Sequence, residues 1–114
     1  MANGVNFPFG NPAAATALTA TGAQAITISD QLTYIDGVTT QATGNRTLNL
    51  TISSGVKAGA MIHLLTKSNA TETTIMGTGI DGATITGVAG KTFSQAFIYN
   101  GTTFFPCGTA NQID

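Results

Sequence analysis

The sequence predicts an all-β fold, an antiparallel β-sandwich of the jelly-roll or immunoglobulin-like kind with an extended N-terminal arm. Short runs of β-branched and aromatic residues are separated by Gly, Asn and Asp turn signals, which gives about seven to nine strands. Residues 47–52 alternate apolar and polar side chains, which is typical of a half-buried antiparallel strand. The dipeptide Asn100-Gly101 joins two aromatic-rich runs and indicates a hairpin. These patterns do not determine strand order, so both topologies remain open.

The hairpin is the strongest local signal in the chain. A two-residue type I′ loop needs positive φ at both central positions, which Asn and Gly tolerate best. Such a loop would pair Tyr99 with Thr102 and Phe97 with Phe104. Aromatic pairs of this kind contribute roughly 0.2 to 1 kcal/mol each. We therefore expect this ribbon to form the wall on which the other strands pack.

The remaining β pattern begins at residue 25. We expect strands at 25–28, 32–35, 47–52, 60–66, 72–76 and 83–86, with Asp36-Gly37 as a turn and 107–114 as a last strand or an edge segment. The run 60–66 is the most apolar, which predicts a central strand. The domain prediction is an extended arm at 1–24 and a β-sandwich domain at 25–114.

The arm carries large apolar side chains at Val5, Phe7 and Phe9. Pro8 and Pro12 favour extended backbone around them. Exposure of three such side chains to water would be unfavourable, so we expect them to insert into a groove on a neighbouring subunit or a partner. A disordered leader is the alternative. Residues 13–20 show only a weak helical pattern.

Composition and charge indicate what kinds of partner and surroundings the chain is suited to. The chain has 114 residues, the size of one domain, and 8% charged residues against about 25% in an ordinary domain, so much of its surface is expected to be covered. A net charge of −1 with scattered cations argues against nucleic-acid binding. The N-terminus does not resemble a signal peptide, and the Ala-rich segment after it is too short and too interrupted by Thr to span a membrane, so we expect a soluble protein. A single cysteine fits synthesis in a reducing cytoplasm.

The reactive side chains do not form a recognisable catalytic or metal-binding pattern. His63 lies in an apolar run and is expected to be a hydrogen-bonded structural histidine. Cys107 is expected to be semi-buried, and a Cys107–His63 nucleophilic pair has nothing in its favour. The carboxylates are Asp30, Asp36, Glu72, Asp81 and Asp114, and they lack the acidic density of a calcium site. Asp30, Asp36 and Asp81 are expected to form turns. No cofactor, metal or enzymatic activity is expected.

Residues 43–114 contain, in order, L-N-L-T-I, G-V-K-A-G-A-M-I-H-L-L-T-K, G-V-A-G-K-T, F-I-Y-N-G-T-T-F-F-P and N-Q-I-D. This series resembles the small capsid decoration and head-fibre proteins of tailed bacteriophages. The resemblance implies a homotrimeric β-sandwich without enzymatic activity, located on the virion and attached to the outside of the capsid.

The resulting expectation is a structural protein that decorates or stabilises the capsid exterior, with the major capsid protein or another virion protein as partner. Val5, Phe7 and Phe9 would anchor the arm, and the hairpin residues Phe97, Tyr99 and Phe104 would lie at the subunit contacts. One alternative is a carbohydrate- or receptor-binding module of a phage fibre, whose partner would be a host-surface glycan. A weaker alternative is a small hydrolase that uses His63 or Cys107.

Overall fold

The computed structural model describes residues 15–114, which form ten strands and no helix. Val5, Phe7 and Phe9 of the predicted arm lie outside the described residues. The strands are β1 Thr16–Ala17, β2 Gly22–Ile28, β3 Leu32–Ala42, β4 Arg46–Ile52, β5 Met61–Ser68, β6 Thr73–Met76, β7 Ile85–Thr86, β8 Thr92–Tyr99, β9 Phe104–Pro106 and β10 Asn111–Gln112. The prediction of an all-β chain is confirmed for this part of the protein.

Two mixed sheets pack together. Sheet A has the order β1-β3-β5-β8-β10, with β9 also paired to β8, and sheet B has the order β2-β4-β6-β7. From β1 to β6 the chain alternates between the sheets, so that β1–β2, β3–β4 and β5–β6 stack as three successive coils. Strand β5 lies between β3 and β8, which confirms the central position predicted for residues 60–66.

Because the chain alternates between the sheets, the first six strands pair in parallel with one another and not antiparallel as expected. Each return of the chain to a sheet adds a strand parallel to the previous one, so β1 to β6 pair in parallel within their sheets. The antiparallel direction predicted for 47–52 is therefore wrong, because β4 has a parallel neighbour on each side. Antiparallel pairing occurs at β7 and around β8. This mixed pairing does not confirm a jelly-roll or immunoglobulin-like topology.

The hairpin forms where the sequence predicts it, with a longer loop. Tyr99 pairs with Phe104, which leaves residues 100–103 as a four-residue connection. Only Gly101 has positive φ there, at 101°, so the loop is not type I′. The Asn100 side chain determines the turn, since its Oδ1 accepts hydrogen bonds from the backbone N–H groups of Thr102 at 2.9 Å and Thr103 at 2.8 Å.

The core lies between the two sheets and is built from the inward side of each alternating strand. It joins aliphatic residues of β2 to β5 with the aromatic side chains of the hairpin. Its fully buried large apolar members are Ile26, Ile28, Ile35, Leu48, Ile62, Leu64, Ile80, Phe97 and Phe104. Side chains at the intervening positions face solvent, which gives sheet A an outer face of its own.

The N-terminal end of the described chain belongs to this core. Thr16 and Ala17 pair with β3, and Leu18 is buried among the core residues. Strand pairing thus extends into the range 1–24 that the sequence assigns to the arm. The expected turn at Asp36-Gly37 is wrong, because both residues continue β3 and pair with Leu65 and Thr66.

Arg46 is the one buried ionic side chain of the described core, and it is 1% exposed. Its guanidinium donates to four backbone carbonyls, those of Thr19, Gly37, Thr40 and Lys67, and to the hydroxyl of Thr66. Burial lowers the pKa of Arg46, an effect that the negative charge of Asp36 opposes. Carbonyl dipoles therefore take the place of a paired carboxylate here.

Candidate functional site

The most distinctive surface feature is an apolar row across the outer face of sheet A. Leu32 of β3 pairs with Met61 of β5, Met61 pairs with Ile98 of β8, and Ile98 pairs with Phe105 of β9. These four residues, here named the apolar row, are therefore level with one another on four adjacent strands. Neighbouring strands lie about 4.8 Å apart, so the row is roughly 14 Å long.

The side chains of the apolar row are open to solvent. Leu32 is 37%, Ile98 43% and Phe105 39% exposed, and Met61 is partly buried between them. The row is outward-facing because successive residues of a strand point to opposite faces, and Ile62 and Phe97 fill the inward positions next to it. A run of large apolar residues on one exposed sheet face is a feature of surfaces that bind another polypeptide.

A second row runs beside the first one. Tyr34 of β3 pairs with His63, which pairs with Ala96, and the backbone N–H of Cys107 donates to the Ala96 carbonyl at 2.8 Å. Tyr34 and His63 are exposed. Partial burial and the nearby charge of Asp36 raise the pKa of the Tyr34 hydroxyl, so this ring stays neutral and acts as an apolar neighbour with a polar tip.

The polar end of this face is fixed by Asp36. The Thr39 hydroxyl donates to its Oδ2 at 2.6 Å, and the backbone N–H of Val38 donates to its Oδ1 at 2.8 Å. These bonds lower the pKa of the Asp36 carboxyl, which is therefore ionised at neutral pH. The outer face thus changes from apolar at Leu32 to anionic at Asp36 within one strand.

The hairpin residues predicted to lie at subunit contacts face their own core. Phe97 and Phe104 are completely buried, and Tyr99 is 9% exposed with its ring stacked on Phe104 at a centroid distance of 4.8 Å. The surface that this hairpin offers to another molecule is made by Ile98 and Phe105 instead. The signal was present in the sequence, because both residues alternate with the buried aromatics and must lie on the opposite face of the ribbon.

The reactive side chains differ from expectation in their burial. His63 and Cys107 are both exposed, whereas the sequence suggested a structural histidine and a semi-buried thiol. They lie on opposite sides of Ala96, so a full strand separates them. Their backbones are about 10 Å apart by strand spacing, and this arrangement does not bring the thiol and the imidazole together as a nucleophile and its base.

A groove of about 400 Å³ lies between β7 of sheet B and β8 of sheet A. Ile85 and Phe93 form part of its apolar wall, and Thr84, Thr86 and Gln95 contribute polar groups. The Gln95 amide donates to the carbonyls of Ala96 at 2.9 Å and Gly108 at 3.2 Å, which fixes the side chain at the groove wall. The groove is large enough for a small polar ligand such as a monosaccharide.

Among residues 15–114, no three His, Cys, Asp or Glu side chains cluster as a metal site would require. Within the same range no helix is long and apolar enough to cross a membrane. No protein-family model matches the chain, and comparison with curated proteins and with solved structures gives no match.

Proposed function

We propose that this protein is a non-enzymatic structural protein of a bacteriophage virion, which decorates or stabilises the capsid exterior as a homotrimer. The observation that carries the proposal is the apolar row, Leu32–Met61–Ile98–Phe105, on the outer face of sheet A. The resemblance of residues 43–114 to capsid decoration and head-fibre proteins gives the class of assembly. The partner outside the trimer would be the major capsid protein or another virion protein.

The apolar row supports self-association on energetic grounds. Burial of apolar surface contributes about 25 cal/mol per Å², so covering four large side chains stabilises a complex by several kcal/mol before the cost of association is subtracted. The scarcity of charge, 8% of residues, means that few ions lose their hydration when this surface is covered. A small domain also gains stability when a subunit buries area that the monomer leaves in water.

Decoration needs many weak contacts rather than one strong one. A trimer offers three copies of each binding surface to a shell, and simultaneous contacts raise the overall affinity without any change in the individual contacts. This mechanism requires no catalytic group, metal or cofactor from the chain.

The test is the solution mass of the purified full chain by light scattering, compared with two surface variants. Ile98→Ser combined with Phe105→Ser removes the hairpin half of the apolar row. Val88→Ser is the matched control, because Val88 is 45% exposed and lies outside the row. We expect a trimer for the full chain and for the control, and a monomer for the double variant. A monomeric full chain would overturn the proposal.

The groove between β7 and β8 supports a second candidate function, a carbohydrate- or receptor-binding module of a phage fibre. Its partner would be a host-surface glycan held by the Thr84, Thr86 and Gln95 polar groups. A reproducible ligand on a glycan array, lost in Gln95→Ala and retained in the Ile98→Ser, Phe105→Ser variant, would favour this candidate. No binding on the array would favour the capsid role.

A further inference from the structure

The described part of the chain begins close to the apolar row. Strand β1 is the edge strand of sheet A and runs parallel to β3, with Thr16 level with Ile35. Leu32 lies three residues before Ile35, at the end of β3 from which the parallel strand β1 also begins. The first described residue, at position 15, is therefore at the end of sheet A where the apolar row lies.

The chemistry of residues 1–14 matches that of the apolar row. The segment contains no Asp, Glu, Lys or Arg, and after Met1 its large apolar side chains are Val5, Phe7 and Phe9. In extended backbone these alternate positions share one side. Pro8 lacks a backbone N–H, so the segment is better suited to cover a sheet face with side chains than to join a hydrogen-bonded ladder.

The dimensions also match. Phe9 lies four positions after Val5, which is about 13 Å in extended backbone. The apolar row is roughly 14 Å long, because it crosses three strand spacings of about 4.8 Å. One extended segment laid across the strands can thus place its three apolar side chains along the whole row. The row is a single line of residues, so it fits such a segment better than the broad face of a second domain.

We propose that residues 1–14 of one copy bind the apolar row of a neighbouring copy, with Val5, Phe7 and Phe9 against Leu32, Met61, Ile98 and Phe105. This inference rests on the proposed homotrimer and names the contact that holds it together. A neighbouring copy is the occupant because the proposed homotrimer needs a contact between copies, and the apolar row is the exposed surface on which that proposal rests.

The exposed Cys107 provides a direct test, since it lies two residues beyond Phe105 and is the chain's one cysteine. The full chain is prepared with Gly4→Cys or Gly10→Cys, which flank the apolar residues of the segment on either side. After mild oxidation, we expect interchain disulfides in one of these two variants, seen as reducible dimers and trimers on a denaturing gel. Adding Cys107→Ser should abolish them, and the wild-type chain reports any Cys107–Cys107 linkage.

A second substitution tests the role of the side chains. Phe7→Ser in the cross-linking variant should slow disulfide formation at least tenfold, whereas Asn6→Ser, on the other side of the extended segment, should leave the rate unchanged. Intrachain disulfides alone, or none, would overturn this inference. Light scattering separates the two proposals: a trimer without cross-links contradicts the segment contact alone, whereas a monomer contradicts both.

Discussion

The Arg46 Nη2 group donates to the Thr66 Oγ1 atom at 2.8 Å and thereby links β4 of sheet B to β5 of sheet A through the protein interior. Thr66 Oγ1 is also 2.8 Å from Thr74 Oγ1 of β6, which returns the connection to sheet B. All three side chains are buried. In a core of low dielectric such a network is strong when it is satisfied and costly when one member is lost.

We predict that Arg46→Met lowers the free energy of unfolding by about 3 kcal/mol or more, because it leaves several buried oxygen acceptors without a donor. Arg46→Lys should recover only part of this loss, since an ammonium group cannot reproduce the planar fork of the guanidinium. Urea unfolding at neutral pH measures both variants. Lys91→Met, which removes an exposed cation, is the control and should change stability by less than about 0.5 kcal/mol.

The two buried threonines should differ in their contributions. Thr66→Val removes the acceptor of Arg46 and the partner of Thr74 together, so we expect a loss of roughly 2 to 3 kcal/mol. Thr74→Val removes one hydroxyl pair and should cost about 1 kcal/mol. The exposed Thr51→Val is the control on β4. Equal unfolding free energies for the Thr66 and Thr74 variants would argue against a network centred on Thr66.

The positions of the strands could be predicted from sequence, but their directions could not. Alternation in 47–52 reports that one face of the strand is buried, and that face is the same whether the neighbours run parallel or antiparallel. Direction depends on where the chain goes between strands, here into the opposite sheet. The residues of β4 themselves therefore do not determine whether its neighbours run parallel or antiparallel.

The apolar row could not be predicted from the sequence for a related reason. Leu32, Met61, Ile98 and Phe105 come from four strands, and only the register makes them level. A two-residue loop at Asn100-Gly101 would have placed Ile98 opposite Thr103, whereas the four-residue loop places it opposite Phe105. The sequence could therefore predict which residues face outward, but not which of them meet.

Gly37 illustrates a second limit, because the dipeptide Asp36-Gly37 has the composition of a turn and lies within β3. A Cβ atom at Gly37 would lie 2.7 Å from Arg46 Nη2 and 2.7 Å from the Leu65 carbonyl oxygen. The glycine therefore provides space for the guanidinium rather than a positive φ. The residue that requires this space is nine positions away in the sequence.

We expect Gly37→Ala to destabilise the protein by about 2 kcal/mol or more, because the Leu65 carbonyl is backbone and cannot move aside cheaply. Gly55→Ala is the matched control: no atom lies within 4 Å of the added Cβ, and Gly55 does not occupy the left-handed region. Thermal unfolding compares the two variants. If both melt at the temperature of the wild type, the close packing of Gly37 against Arg46 does not contribute to stability.

The hairpin loop gives a prediction that separates side-chain from backbone effects. Asn100→Ala removes the acceptor for the N–H groups of Thr102 and Thr103, and we expect it to cost about 1 kcal/mol. Asn100→Asp keeps an oxygen at the same position and should retain most of the stability. Urea unfolding of the two variants measures the difference. If Asn100→Asp loses as much stability as Asn100→Ala, the hydrogen bonds to Oδ1 do not account for the loss.

Asp36 makes stability depend on pH with a defined sign. Hydrogen bonds from Thr39 and Val38 lower its pKa below the ordinary value of 3.8, so the unfolded chain binds the proton more readily than the folded one. The stabilising contribution is therefore fully present above about pH 5 and is lost as the pH falls through the lowered folded pKa. Urea unfolding at about pH 6 and about pH 3 should show a smaller difference for Asp36→Asn than for the wild type. Asp81→Asn, which removes an exposed carboxylate without these bonds, should keep the wild-type difference. Identical pH dependence in the Asp36 variant and the wild type would contradict the assignment.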